Sequence, residues 1–167
     1  MEAGLGDAYD RLVAQAEAGE RRFERRFTTH LHVVEDGWVS LTELDDDFHS
    51  MRVALRLAAD GEITEVAGRM LRNPFDTCPR ALESLRHLIG ANVARPSAHH
   101  QIKERMPRRE GCLHVADMLT VAFRAFRISK GHDLPSYSGE DARRDILTLL
   151  PNVRDTCVSF AIARDDR

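Results

Sequence analysis

Cysteine is scarce in this chain, and the few that occur are widely spaced. Cys78, Cys112 and Cys157 stand alone among 167 residues, and no two of them form a Cys-x-x-Cys pair. Disulfide-rich secreted domains carry more cysteines in a short chain. We therefore expect three reduced thiols. The N-terminus lacks the pattern of a signal peptide and no apolar run reaches the ~18 residues of a membrane span, so a cytoplasmic location is expected.

Several common catalytic and nucleotide-binding motifs are also missing. The sequence has no His-Glu-x-x-His, no glycine-rich phosphate loop and no Gly-x-Ser-x-Gly. These absences argue against the commonest zinc proteases, nucleotide enzymes and serine hydrolases, and no nucleotide cofactor is expected. A formal net charge of −3 argues against electrostatic binding of nucleic acid. A small molecule is the expected ligand, with no nucleic acid or membrane partner.

The composition is that of one soluble domain. The chain is 43% hydrophobic and 31% charged, and its length is sufficient for a substantial core. Apolar residues recur at helical spacing from about Asp7 to Phe27. We therefore predict an N-terminal amphipathic helix within residues 1–27 and a single α+β domain over residues 28–167. The exposed helix is a candidate surface for homo-oligomer assembly.

Two Asp-Gly pairs predict two β-hairpins in the first half of the domain. With Asp36-Gly37 as a two-residue turn, counting places Val34 opposite Val39, His32 opposite Leu41 and His30 opposite Glu43. With Asp60-Gly61 as the second turn, the predicted pairs are Leu57 with Thr64, Leu55 with Val66, Val53 with Gly68 and Met51 with Met70. The predicted fold class is α+β, an antiparallel four-stranded meander of two hairpins packed against several helices.

The second half of the chain is predicted to supply those helices. One begins at Pro79, after a cap at Thr77 or Cys78, and ends near Gly90. A short helix follows Pro96-Ser97, and a longer one runs from Leu113 to Phe126 with an apolar stripe toward the core. A last helix is predicted between Ser138 and Pro151, and residues 153–163 fit either a strand or a helix.

The start of the helix after Gly111 is the strongest candidate for chemistry. Cys112 and His114 fall within its first turn, where the helix dipole favours a thiolate and a neutral imidazole. Asp117 follows three residues after His114, so its carboxylate is placed to accept the imidazole N–H and fix the tautomer. The alternatives are structural, with His114 as a helix cap, Cys112 as a small buried side chain and Asp117 as a surface residue.

A series of landmarks from about Arg25 to Phe126 resembles bacterial domain-of-unknown-function family 2889. They are Asp36-Gly37 with Trp38, His49-Ser50-Met51, Pro74, Cys78-Pro79, Leu88-Ile89-Gly90, and Gly111-Cys112-Leu113-His114 with Asp117. The family usually has aspartate where this chain has Ser50, and threonine where it has Leu113. The resemblance implies a shared fold and no particular activity. It also draws attention to His49, which lies in the loop between the two hairpins.

Two classes of function fit these residues. In the first, the protein is a small enzyme, a lyase or hydrolase acting on a small organic substrate such as an aromatic one. His49, Cys112, His114 and Asp117 would form the catalytic edge of its pocket. In the second, the same fold binds a small ligand or mediates assembly without turnover.

A metal would use imidazole and thiolate ligands in the enzyme hypothesis. His49, Cys112 and His114 are the predicted ligands of Zn²⁺ or Fe²⁺. His30, His32 and Glu43 are the second choice, because the predicted register places two histidines and a carboxylate on one face of the first hairpin. The Asp45-Asp46-Asp47 run is interpreted as solvated.

Overall fold

The computed structural model describes residues 4–95, 97–106, 109–129, 144, 147 and 148. The N-terminal helix α1 (Leu5–Glu17) precedes four strands, β1 (Arg25–Val34), β2 (Gly37–Asp46), β3 (Ser50–Ala58) and β4 (Ile63–Arg72). A 3₁₀ helix (Cys78–Leu88), α2 (Ala98–Arg105) and α3 (Leu113–Ser129) follow. Apart from the three isolated positions, the predicted last helix and the segment 153–163 lie outside the described residues.

The four strands form one antiparallel sheet in the order β1-β2-β3-β4. This confirms the predicted meander and the α+β class. One face of the sheet is buried by the later helices, since α3 packs against β1 and β2 while the 3₁₀ helix packs against β4. The buried side chains of β3, namely Met51, Val53, Leu55 and Leu57, form the centre of the core.

The second hairpin has the predicted register over most of its length. Met51 pairs with Met70, Val53 with Gly68 and Leu55 with Val66. Next to the turn, Leu57 pairs with Ile63 instead of the predicted Thr64, because the register shifts between Arg56 and Leu57. The irregularity brings Ile63 into the core, where it is fully buried.

The predicted register of the first hairpin is wrong by two residues. His30 pairs with Leu41 and His32 with Val39, whereas Glu43 pairs with Thr28. The turn consists of Glu35 and Asp36, and Gly37 already belongs to β2. A shift of two preserves which side chains share a face, so the two histidines and Glu43 remain on the outer face of the sheet.

The N-terminal helix is shorter than predicted. α1 ends at Glu17, and the residues from Arg25 to Phe27 belong to β1. Alternate residues of β1, including Phe27 and Leu31, are partly buried against the core, which is the two-residue period of a strand. α1 has no buried residue, and Leu5, Tyr9 and Leu12 are exposed.

The three described helices of the second half lie where the sequence places them, with one difference in type. The segment after Thr77 forms a 3₁₀ helix, in which Leu82, Leu85 and Leu88 line up because this helix has three residues per turn. Ile89 follows the helix and is exposed. On α3 the predicted stripe is confirmed, since Val115, Leu119, Ala122 and Phe126 are all buried. Among the described residues, no helix has the length and apolar character needed to cross a bilayer.

Gly37 provides a test of the observed turn. Its φ is +144°, and a Cβ at this position would lie 2.1 Å from the carbonyl oxygen of Leu57. Gly37→Ala is expected to lower the free energy of unfolding by about 2–3 kcal/mol through backbone strain and this clash. Gly6→Ala is the matched control, because a Cβ there meets nothing within 4 Å and alanine favours the helix. Equal denaturation midpoints for the two variants would contradict the observed turn.

Candidate functional site

The site is organised around the buried carboxylate of Asp46, the last residue of β2. Its Oδ1 accepts hydrogen bonds from the backbone N–H groups of Phe48 and His49, at 2.8 and 2.7 Å. The same oxygen lies 3.0 Å from Nδ1 of the His49 ring. The other oxygen, Oδ2, accepts from Nε and Nη2 of Arg25 at 2.8 and 2.6 Å. Asp46 therefore fixes both the loop between the hairpins and the ring that the loop carries.

The charge state of Asp46 determines the tautomer of His49. Burial alone would raise the pKa of the Asp46 carboxyl, but the hydrogen bonds from Phe48, His49 and Arg25 hold it well below its usual range. An ionised carboxylate only accepts hydrogen bonds, so Nδ1 of His49 carries the hydrogen and donates it. When the ring is neutral, Nε2 of His49 keeps a free lone pair for a proton or a metal.

Further contacts hold the loop at the end of the sheet. Nη2 of Arg72, the last residue of β4, donates to the backbone oxygens of Asp46 at 2.5 Å and of His49 at 3.3 Å. On the other side, the rings of Phe23 and Phe48 stack with centroids 6.4 Å apart, and the guanidinium of Arg25 lies over Phe23. The side chain of His49 is only 10% exposed.

The second half of the site is the N-terminal end of α3. Cys112 precedes the helix, and its carbonyl oxygen accepts the backbone N–H of Ala116. The Sγ atom of Cys112 lies 3.7 Å from Nδ1 of His114. Burial lowers the pKa of His114, and the nearby His49 and Arg25 lower it further, while Asp46 and Asp117 oppose the change. A neutral His114 imidazole therefore stands beside the thiol at neutral pH.

The loop and the helix bring two imidazoles together. The ring centroids of His49 and His114 are 4.1 Å apart, with an angle of 45° between the ring planes. The two imidazoles named in the enzyme hypothesis are therefore neighbours in the structure. The contacts form one continuous series of five groups. It consists of the thiol of Cys112, the imidazoles of His114 and His49, the carboxylate of Asp46 and the guanidinium of Arg25.

Cys112 also lines a cleft of about 750 Å³ between the 3₁₀ helix and the segment before α3. Cys78 lines the same cleft from the side of the 3₁₀ helix. His49, His114 and Asp117 are not among the residues that line this cleft. Of the four residues predicted to form the edge of a pocket, only Cys112 therefore lines it. A smaller hollow of about 190 Å³ lies beside Asp45, Asp46 and Asp47.

The chain matches the model of the family described as "Protein of unknown function (DUF2889)" over residues 13–127. The chain belongs to this family. The matched range contains all four strands, the 3₁₀ helix, α2 and most of α3, including every residue of the series described above. No curated protein and no solved structure matches the chain. Membership therefore supports the resemblance inferred from the sequence and assigns no activity.

The other predicted site residues are placed less favourably. Asp117 makes no hydrogen bond or ion pair with His114 within the described ranges, and its effect on that ring is through its charge alone. His30 and His32 are exposed on the outer face, with ring centroids 6.3 Å apart. Glu43 binds Nε of Arg52 at 3.1 Å rather than facing His30. In the part of the chain that the structure describes, no group of three or more His, Cys, Asp or Glu side chains is arranged as a metal site.

Asp46 and Arg25 are the site residues that the sequence interpretation missed. Asp46 is one of three consecutive aspartates, and the run was interpreted as solvated. The three differ in the structure, since Asp45 binds Arg52 at 3.0 Å, Asp47 is exposed, and only Asp46 is buried. The period of β2 provides the missing signal. Asp46 has the same parity as the buried residues Ser40, Thr42 and Leu44.

Replacing the central carboxylate is expected to destabilise the protein selectively. In Asp46→Asn an amide N–H₂ replaces an oxygen that accepts hydrogen bonds, leaving Arg25 or His49 without a partner. The expected loss is about 3 kcal/mol in the free energy of unfolding at pH 7, the scale for breaking a buried charged pair. Asp47→Asn, which changes the exposed neighbour, is the control and should have almost no effect in urea denaturation.

The pH dependence supplies a second measurement on the same pair of variants. The folded pKa of Asp46 lies below its ordinary value of 3.8, so its stabilisation is complete above that pH and disappears as pH falls through the folded pKa. The stability difference between wild type and Asp46→Asn should therefore shrink as the pH falls below 3.8. A difference that stays constant or grows below that pH would contradict the inferred charge of Asp46.

Proposed function

We propose that the protein is a small hydrolase in which the thiol of Cys112 is the nucleophile and His114 is its base. The observation that carries the proposal is the position of Cys112, which lines the 750 Å³ cleft and whose sulfur lies 3.7 Å from Nδ1 of His114. A thiol within reach of an imidazole is the arrangement that activates cysteine for covalent catalysis. A cleft of this volume accommodates a small organic molecule.

The proposed reaction is acyl transfer to water. Nδ1 of neutral His114 takes the proton of the Cys112 thiol, and the sulfur attacks the carbonyl carbon of an ester or thioester. The bond to the leaving group breaks, and the leaving group takes the proton back from His114. Water then hydrolyses the thioester on Cys112, with His114 accepting a proton from the water and returning it to the sulfur. The N-terminal end of α3 favours the negative charge that appears on sulfur.

His49 and Asp46 act as positioning residues in this proposal. The His49 ring packs against His114 and sets its orientation, and Asp46 holds His49 through Nδ1. The negative charges of Asp46 and Asp117 also favour the imidazolium that forms transiently on His114. Asp117, predicted as a hydrogen-bond partner, contributes electrostatically instead.

The thiol proposal predicts a difference between the two cysteines of the cleft. Cys112→Ser and His114→Ala should each lower the hydrolysis of p-nitrophenyl acetate by at least about 100-fold, the usual contribution of a nucleophile or general base. Cys78→Ser changes a thiol in the same cleft without an imidazole partner in the described structure and should retain activity. Mass spectrometry should locate the acetyl group on Cys112. Full activity of Cys112→Ser would reject the proposal.

A metal-dependent lyase or hydrolase is a second candidate, favoured by the same distance. Two ligands of a tetrahedral Zn²⁺, at about 2.3 Å for sulfur and 2.1 Å for nitrogen, are separated by roughly 3.6 Å. The separation of Sγ of Cys112 and Nδ1 of His114 is 3.7 Å, and Nε2 of His49 is not used by Asp46. In this alternative the three residues, which are not arranged as a metal site in the described structure, would have to shift to hold Zn²⁺ or Fe²⁺. The metal would then polarise a substrate oxygen or activate water.

Metal analysis of protein purified without an affinity tag separates the two candidates. The metal-dependent function predicts one Zn²⁺ or Fe²⁺ per chain, lost when His49→Ala and His114→Ala are combined. His30→Ala with His32→Ala is the matched control on the outer face and should leave metal content unchanged. Activity that persists in chelator, together with acetylation of Cys112, would favour the thiol. Ligand binding without turnover in either assay would favour a non-catalytic binding protein.

A further inference from the structure

The cleft beside Cys112 is lined by charged side chains on both walls. Arg80, Glu83 and His87 come from the 3₁₀ helix, and Arg109 and Glu110 come from the segment before α3. All five are exposed at the surface. Charges of both signs are therefore available to a ligand, and their pairing decides which sign the cleft presents.

The two carboxylates of the cleft already have basic side chains beside them. Glu83 binds Nε of Arg86 at 3.3 Å, and Glu110 lies 3.7 Å from Nε2 of His87. Arg80 and Arg109 make no ion pair with a carboxylate in the part of the chain described. Guanidinium groups are strong, geometrically matched donors to carboxylate and phosphate oxygens. The cleft thus offers two guanidinium groups for an anion from outside.

We propose that this cleft binds a small organic carboxylate, with Arg80 and Arg109 holding the carboxylate group while the reacting carbonyl lies at Cys112. The proposal rests on the thiol hydrolase function and names its substrate class. Arg109 lies three residues before Cys112 and Arg80 two residues after Cys78, so each wall contributes one cation near its thiol. The distance from the bound carboxylate to the sulfur of Cys112 would therefore be one that a small molecule can span.

The size of the cleft favours an organic acid over inorganic phosphate. Arg80 and Arg109 attract a dianion more strongly than a monoanion, and Glu83 and Glu110 repel it more strongly, so charge does not decide between the two ligands. The volume of about 750 Å³ exceeds what inorganic phosphate fills and fits an organic acid of modest size.

The test compares a neutral ester with an anionic one. Wild-type protein should hydrolyse mono-p-nitrophenyl succinate with kcat/KM at least about ten-fold above that for p-nitrophenyl acetate, after correction for their spontaneous rates. Arg80→Gln combined with Arg109→Gln should remove this preference, lowering kcat/KM for the anionic ester at least about ten-fold more than for p-nitrophenyl acetate. Arg69→Gln, which removes an exposed cation from the outer face of β4, is the control and should keep the preference.

A binding measurement keeps this inference separate from the proposed function. In Cys112→Ser, monomethyl succinate should raise the melting temperature more than neutral dimethyl succinate, and the double arginine variant should abolish the difference. That result without any ester hydrolysis would support the anion site and reject the thiol hydrolase. Hydrolysis by Cys112 with no preference for the anion in either assay would overturn the anion site alone. Stronger stabilisation by inorganic phosphate than by monomethyl succinate would overturn the choice of a carboxylate.

Discussion

The hydrogen bonding of the Asp46 carboxylate is the constraint on which the candidate site depends. A buried charge is tolerated only when donors replace the water it has lost. Here the donors are two backbone N–H groups of the loop, the ring of His49 and the guanidinium of Arg25. Satisfying one side chain therefore sets the path of the loop, the orientation of a histidine ring and the position of an arginine together. Arg72 strengthens this arrangement from β4.

The other half of the site is held by the core rather than by polar contacts. Toward its C-terminal end, α3 is anchored by Phe123 and Phe126, and the ring of Phe126 meets Trp38 of β2 edge-on with centroids 5.7 Å apart. A helix fixed to the sheet in this way presents its first turn at a defined place, so His114 reaches His49 without a flexible connection. Groups that must meet within a few tenths of an ångström are best mounted on such rigid elements.

How far the sequence predicts this structure depends on which residues carry local information. Three of the four predicted pairs in the second hairpin are correct, because its apolar residues alternate clearly and leave one register that buries them. The predicted register of the first hairpin is wrong, because Gly37 is the first residue of β2 and not part of the turn. The sequence does not distinguish Asp46 from its neighbours, because they are also aspartates. Its burial follows from its position in the two-residue period of β2 and from its pairing with Arg25. The convergence of His49 and His114 was a hypothesis that only the packing of α3 on the sheet could test.

The electrostatics around His114 explain why a histidine in this place suits a base better than a permanent cation. Burial and the nearby His49 and Arg25 disfavour a proton on its ring, so the resting imidazole is neutral and has a lone pair for the Cys112 proton. Asp46 and Asp117 act in the opposite direction. Their charges limit the free-energy cost when the ring does become positive beside a thiolate. A ring surrounded only by apolar groups would also be neutral at rest, but it would hold a transferred proton less readily. In the proposed hydrolase, the buried carboxylate that orders the loop would also assist charge transfer at the thiol.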